Sequence, residues 1–347
     1  MAQDISNQAV LELINKPAFC VKDGIVFHAN EQARQRSIHP GDSVSQWITQ
    51  DPAAYENFTE GCLFLPLQIH SLPYYASVTS LNGLHLFLLE RENAKSLQTL
   101  ALTAQQLRQS LSDLYALADS LKDQNEAAHM RQNLAQMHRN LCNMADVARL
   151  DNPSPLQAEP TNLTAFFAEV VEKNQVLLSK AGYTLEYTAL PEIVIGMADR
   201  ELLERSIFNL VSNAAKFSPK NSTLKATLVH SGKNLRFTIQ DPGDGIRPEI
   251  LQQVFCRYLR EPAIEDGRHG IGLGLSLVCM AAAKHEGTVL IDQPKSGGTR
   301  VTMTLKVLPC PDQILRGPLQ VFRYDYAGGH DHGLLELSNI LPAELYK

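Results

Sequence analysis

Four short blocks in a fixed order constrain this chain more than any other feature. They read Asn209-Leu-Val-Ser-Asn213-Ala-Ala-Lys216-Phe217, Asp241-Pro-Gly243-Asp-Gly245-Ile246, Val254-Phe255-Cys-Arg257-Tyr258-Leu-Arg260 and Gly270-Ile-Gly272-Leu273-Gly274-Leu275. Asn209 and Asn213 stand four apart and so share one helix face. The glycine block runs into an apolar stretch predicted helical over 275–285, which aims backbone N–H groups and a helix N-terminus at an anion. A Rossmann fingerprint needs a strand directly before its glycines, and a P-loop needs Gly-Lys-Ser or Gly-Lys-Thr. Neither is present here.

In this order the blocks resemble the N, G1, F and G2 boxes of the Bergerat-type ATP-binding domain of sensor histidine kinases. The resemblance implies a C-terminal α/β sandwich of the histidine kinase ATPase type over 160–308, with ATP and Mg2+ as cofactors. It implies Asn213 as the Mg2+ ligand, in the box begun by Asn209, with Lys216 near phosphate and Phe217 beside the adenine. Asp241 is then the acceptor for the adenine amino group, and Gly243, Gly245 and Ile246 form the turn near the base. Arg257, Arg260 and residues 261–269 would be a lid. Gly270, Gly272, Leu273, Gly274 and Leu275 would meet the phosphates, and Gly298-Thr299 matches the small final box. Gyrase-like relatives of this fold place a glutamate four residues before the Mg2+ asparagine as the base for hydrolysis. This chain has Asn209 there, which favours the kinase branch.

The 347 residues leave room for two to three domains. Residues 18–30 predict two strands joined at Asp23-Gly24, where glycine accepts positive φ. Further strands are expected over 62–69, 74–79 and 84–89, broken at Ser71-Leu-Pro73 and at Asn82-Gly83. This arrangement over 1–91 resembles a compact PAS sensor domain; a generic α+β packing domain is the alternative. The fold class expected for the whole is therefore multidomain α+β.

From Leu97 the period changes. Leu97, Leu100, Ala104, Leu107, Leu111, Leu114, Ala118 and Leu121 recur in steps of three and four, and Met130, Leu134, Met137, Leu141, Met144 and Ala148 repeat the pattern. Two such helices over 92–152 predict an antiparallel hairpin. Its apolar stripe is best buried by a second copy, giving a homodimeric four-helix bundle through residues 97–150.

Histidine kinases carry their phosphoacceptor on the first of these helices. Leu107, Arg108 and Leu111 match that block, but Gln105 stands at the histidine position and Gln106 at the acidic one. A carboxamide cannot take a phosphoryl group as an imidazole nitrogen does. His138, expected at the flank of the bundle, is the candidate substitute acceptor, and Gln109 could position water in a phosphatase variant. The reading is a two-component-type signalling protein with a response regulator or another regulatory protein as partner. Its alternative is a non-catalytic ATP-binding pseudokinase.

A net charge of −6 without dense Lys or Arg runs argues against nucleic acid. The six scattered cysteines suggest neither a zinc site nor a disulfide framework. The polar N-terminus and the absence of an apolar run of about 20 residues predict no signal peptide or membrane span, hence a cytoplasmic protein. Residues 309–347 lie beyond the resemblance; 333–342 could dock as a short amphipathic segment.

Overall fold

The computed structural model describes residues 11–81, 83–90, 94–150, 156–251, 253–255, 272–310 and 327–347. β1 (Ala18–Lys22) and β2 (Ile25–Ala29) form the expected hairpin, with Asp23 and Gly24 both at positive φ, +50° and +77°. Asn30 ends it. Its Oδ1 accepts the amides of Ala33 and Ala18 at 2.9 and 3.0 Å, capping α1 (Glu31–Arg34) while pinning the start of β1. A 3-10 turn (Val44–Gln46) and α2 (Pro52–Glu56) lead to β3 (Cys62–Ile69), β4 (Leu72–Leu81) and β5 (Leu84–Glu90). The turn between β3 and β4 falls on His70 and Ser71, both at positive φ, and not on Ser71-Leu-Pro73; Leu72 and Pro73 already pair with Ile69 and Gln68.

Two long helices follow, α3 (Ala94–Asp119) and α4 (Gln124–Leu150), packed against each other through Ala104, Leu111, Ala118, Leu134 and Leu141. Among the described seam residues these five are buried within one chain, while Leu114, Met130 and Met144 are only partly so. Leu107 and Met137 are 47% and 51% exposed, and Leu121 is also open. His138 departs from expectation in the other direction: it is buried, at 7% exposure, edge-on to His330 with ring centroids 5.4 Å apart. The C-terminal segment covers it, which the helical period could not anticipate.

The last domain contains β6 (Glu159–Asn162), α5 (Leu163–Lys180), β7 (Thr184–Thr188), β8 (Ile195–Ala198) and α6 (Arg200–Lys216). It continues with β9 (Thr223–Ser231), β10 (Asn234–Gln240), α7 (Pro248–Leu251), α8 (Gly274–Lys284), β11 (Val289–Asp292) and β12 (Arg300–Lys306). α9 (His332–Glu336) and a final 3-10 turn (Ala343–Tyr346) close the chain. β6 was not expected, because Pro160 and three polar residues hide a strand that pairs with β8. The helix predicted from 249 stops at Leu251 within the described residues, and 253–255 form a turn.

β1 to β5 and the C-terminal strands share one ten-stranded sheet, in the order β2-β1-β5-β4-β3-β11-β12-β10-β9-β7. β7 and β9 run parallel; every other pairing in it is antiparallel. Edge strands β3 and β11 meet at the seam, Cys62 opposite Ile291 and Phe64 opposite Val289. Gly61 lets them approach, since a Cβ there would stand 2.2 Å from the Ile291 carbonyl oxygen. Phe64 reaches Phe255 edge-on, with centroids 5.8 Å apart, and the Asn234 amide donates to Asp51 at 3.1 Å. Each half keeps its own core, one around Phe19, Phe87 and Trp47, the other around Phe167, Phe208 and Phe237. No helix among the described residues is long and apolar enough to cross a membrane.

Candidate functional site

The site forms where the C-terminal end of α6, the turn after β10 and the loop before β12 converge. Asp199 starts α6 by accepting the Leu202 amide at 3.1 Å. His285 steadies that start: its Nε2 accepts the Asp199 amide at 3.1 Å, and its Nδ1 lies 2.8 Å from the Ala281 carbonyl. An imidazole that donates from one nitrogen and accepts at the other is neutral. Burial agrees, pushing His285 below its ordinary pKa against the raising effects of the Ala281 contact and Asp199.

At the far end of α6, Phe217 is the C-cap and remains 48% exposed, with the Lys216 ammonium 4.9 Å from its ring centroid. The turn after β10 closes against this point so tightly that a Cβ on Gly243 would lie 2.3 Å from the Phe217 carbonyl oxygen. Asp241 is buried in the turn, its Oδ1 accepting the Gly243 amide at 2.9 Å and the Thr299 amide at 3.2 Å. Burial pushes its carboxyl above the usual range, and those amide donors pull the other way. A carboxylate so placed is further stabilised by an additional N–H donor. Gly298, at φ +80°, would put a Cβ 1.8 Å from the Asp241 carbonyl oxygen, so only glycine permits the final loop to lie there. Gly245, at φ +81°, turns the chain so that the Ile246 carbonyl accepts from Gln293 at 2.5 Å.

Asn213 is half-buried one turn before Phe217. Asn209 is fully buried and engaged elsewhere: its Oδ1 accepts from Arg139 at 3.0 Å and its Nδ2 donates to the Arg205 carbonyl at 2.9 Å. A Cβ on Gly274 would lie 2.5 Å from that Oδ1, so Asn209 also touches the start of α8. Gly272 sits at φ +76° just before this helix, Leu273 is buried, and Leu275 packs on the main core. Arg257, Arg260, Gly270 and the expected lid at 261–269 lie outside the described residues, as do the side chains of Gln105 and Gln109.

The nucleotide expected here fits these residues. Glycines let the turn after β10 pack on the Phe217 carbonyl and the final loop on the Asp241 carbonyl, which brings the buried carboxylate to the end of α6 that carries Lys216 and the exposed Phe217. Asn213 would be the residue to offer Mg2+ an amide oxygen. No cluster of three or more His, Cys, Asp or Glu that could hold a metal occurs among the described residues. An ion carried mainly by phosphate and water suits that donor set.

A buried polar network beside the site was not legible in the sequence. Glu336, on α9, accepts Arg139 Nε at 3.0 Å and Arg205 Nε at 3.2 Å. Arg205 also pairs with Asp146 and donates to Asn143 at 3.0 Å, while Arg139 donates to Ser212 at 3.2 Å. Arg205 sits among apolar residues of a helix whose sheet side is obvious; only the docking of α4 and the C-terminal segment on its other side buries it.

Residues 198–309 match the family model described as histidine kinase-, DNA gyrase B-, and HSP90-like ATPase. Over 142 residues the chain is 32% identical to the sensor-like histidine kinase SenX3 of Mycobacterium tuberculosis, covering 41% of this chain and 34% of that protein. Over 112 residues it is 38% identical to the sensor protein KdpD of Clostridium acetobutylicum, covering 32% of this chain and 12% of that one. The matches thus span about a third or less of these relatives. The fold is similar to that of full-length ShkA solved with AMPPNP, with a TM-score of 0.51 and 19% identity over 62% of this chain and 47% of that one.

Proposed function

From a chain that carries a histidine kinase-, DNA gyrase B- and HSP90-like ATPase domain and is related to sensor histidine kinases, we propose a signalling protein of two-component type that binds Mg-ATP. The observation that carries this reading is the buried Asp241 carboxylate, held by the Gly243 and Thr299 amides in a turn that packs on the Phe217 carbonyl. Asp241 accepts the adenine amino group, Phe217 covers the base, Lys216 neutralises phosphate and Asn213 holds Mg2+. The bound nucleotide supplies a γ-phosphoryl group polarised by the metal.

Residues 1–91 act as a PAS-like sensor, 92–152 as the dimerisation hairpin, 160–308 as the ATP-binding domain and 309–347 as a C-terminal tail. The exposed Leu107, Leu121 and Met137 support a homodimer through 97–150, in which a second copy covers them. A response regulator or another regulatory protein is the downstream partner, and the cytoplasm the proposed location.

Gln105 at the usual acceptor position supports a second reading, an ATP-binding pseudokinase that regulates its partner without self-phosphorylation. His138, the substitute acceptor, is buried against Tyr115 and His330, so it receives phosphate only after the C-terminal segment moves. Incubation with γ-labelled ATP and Mg2+, with His138→Ala and Asn213→Ala in parallel, separates the readings. Acid-labile, alkali-stable label lost in both variants establishes a kinase with a relocated acceptor. Absence of label in a protein that binds nucleotide argues against self-phosphorylation and favours the regulator or transfer directly onto a partner.

A further inference from the structure

We propose that residues 327–347 form an intramolecular clamp that holds the ATP-binding domain against the helical hairpin and opposes nucleotide binding. The clamp is built from both apolar and charged contacts. Ala327, Leu335, Leu337, Leu341 and Tyr346 are buried in the main core, which Phe167, Phe208 and Phe237 share with Ala135 and Cys142 of α4. On the hairpin side, Gln132 donates to the carbonyls of Ser338 and Leu341 at 3.2 and 2.6 Å, Gln136 to Ser338 at 3.1 Å, and Arg131 to Tyr346 at 3.2 Å. One short segment therefore grips α4 and α6 at once.

Its centre is Glu336, fully buried, with one carboxylate oxygen on Arg139 of α4 and the other on Arg205 of α6. Buried guanidinium groups are tolerated only when paired, and loss of one member of such a network is strongly unfavourable. Withdrawing the segment removes the carboxylate shared by both arginines, while Asp146 still pairs with Arg205. The arginines then favour solvent, which separates α4 from α6.

The link to the nucleotide site is Arg139. Its Nε is held by Glu336 while its Nη2 occupies the Asn209 carboxamide oxygen at 3.0 Å, and that oxygen abuts Gly274 at the start of α8. Asn209 belongs to the helix that also presents Asn213, and α8 begins at the proposed phosphate end. A clamped Arg139 fixes Asn209 toward the hairpin; a released one frees it to turn to the nucleotide. By linkage, nucleotide binding must then weaken the clamp by the same factor. This second step rests on the nucleotide reading above, whereas the mechanical step does not.

Hydrogen exchange on the full chain tests the mechanical step, with Glu336→Gln and with the double variant Gln132→Ala/Gln136→Ala, which loosens the segment without stranding a buried charge. Exchange in residues 131–146, 200–216 and 332–346 is expected to rise at least about tenfold in both variants, while β9, β10 and β12 keep their protection. Should Glu336→Gln also unprotect β10 and β12, the double variant decides. A released 332–346 with wild-type rates in 131–146 and 200–216 overturns the clamp. Titration with a fluorescent ATP analogue and Mg2+ tests the coupling. Both variants are expected to bind at least about threefold tighter than wild type, and equal affinity overturns this step. If no protein binds the analogue, the ATP reading fails and the exchange data still judge the clamp.

Discussion

Asp241 and Thr299 hold each other twice: the Asp241 amide donates to the Thr299 carbonyl at 2.9 Å, and the Thr299 amide donates to the Asp241 carboxylate at 3.2 Å. This exchange fixes the carboxylate at the mouth of the site. Asp241→Ala is expected to weaken ATP binding by about 10- to 100-fold, the worth of one or two hydrogen bonds to a charged acceptor. Calorimetric titration checks it, and wild-type affinity in the variant would remove the basis of the site.

Gly298→Ala is expected to destabilise the fold by about 2 kcal/mol or more, since its Cβ meets the Asp241 carbonyl at 1.8 Å and its φ is +80°. Gly297, also at positive φ, has open space around it. Gly297→Ala should therefore cost only the backbone term, about 1 kcal/mol. Urea midpoints of the two variants measured together separate collision from conformation.

His285 makes stability pH-dependent. Its folded pKa lies below the ordinary value, foremost because of burial. Above that ordinary value both states are neutral and the full stability is present. As pH falls through about 6.5 the unfolded chain takes the proton first, and the loss continues until the folded pKa is reached. Wild type should lose more stability than His285→Gln between about pH 7.5 and about pH 5.5 in urea titrations, and parallel curves would refute the assignment.

Leu107→Glu combined with Met137→Glu places charges on the open side of the hairpin, where a second copy is proposed. Sedimentation velocity should show a dimer for wild type and a monomer for the variant, with helix content preserved. Two monomers, or two dimers, would argue against that interface.

Phe64→Ala removes the ring that meets Phe255 across the β3–β11 seam and is expected to cost about 3 kcal/mol. Exchange in β11 should quicken while β9 and β10 stay protected. Unchanged β11 exchange would mean that the two halves do not lean on each other.

Much of this was legible in the sequence because its causes are local. Asp23-Gly24 dictated the hairpin, and the three-and-four spacing marked both long helices. Gly243 was expected in a turn near the base; that its turn packs on the Phe217 carbonyl, and that Gly298 lies against the Asp241 carbonyl, only the fold decides. The Ser71-Leu-Pro73 break was displaced because His70 and Ser71 adopt positive φ without glycine, a choice made by the pairing of β3 with β4. β6 escaped notice because its pairing with β8, and not its composition, makes it a strand.

The sequence by itself determined most of the elements and the order of the four blocks, since periodicity and turn chemistry act over a few residues. Tertiary structure alone decided that β3 extends the sheet of the ATP-binding domain, that His138 is covered, and that Asn209 faces Arg139. It also joined Glu336 to Arg139 and Arg205 across 197 and 131 residues. Such contacts carry no local signature, because a buried ion pair is specified only when the elements bearing its charges are packed together and water is excluded from between them.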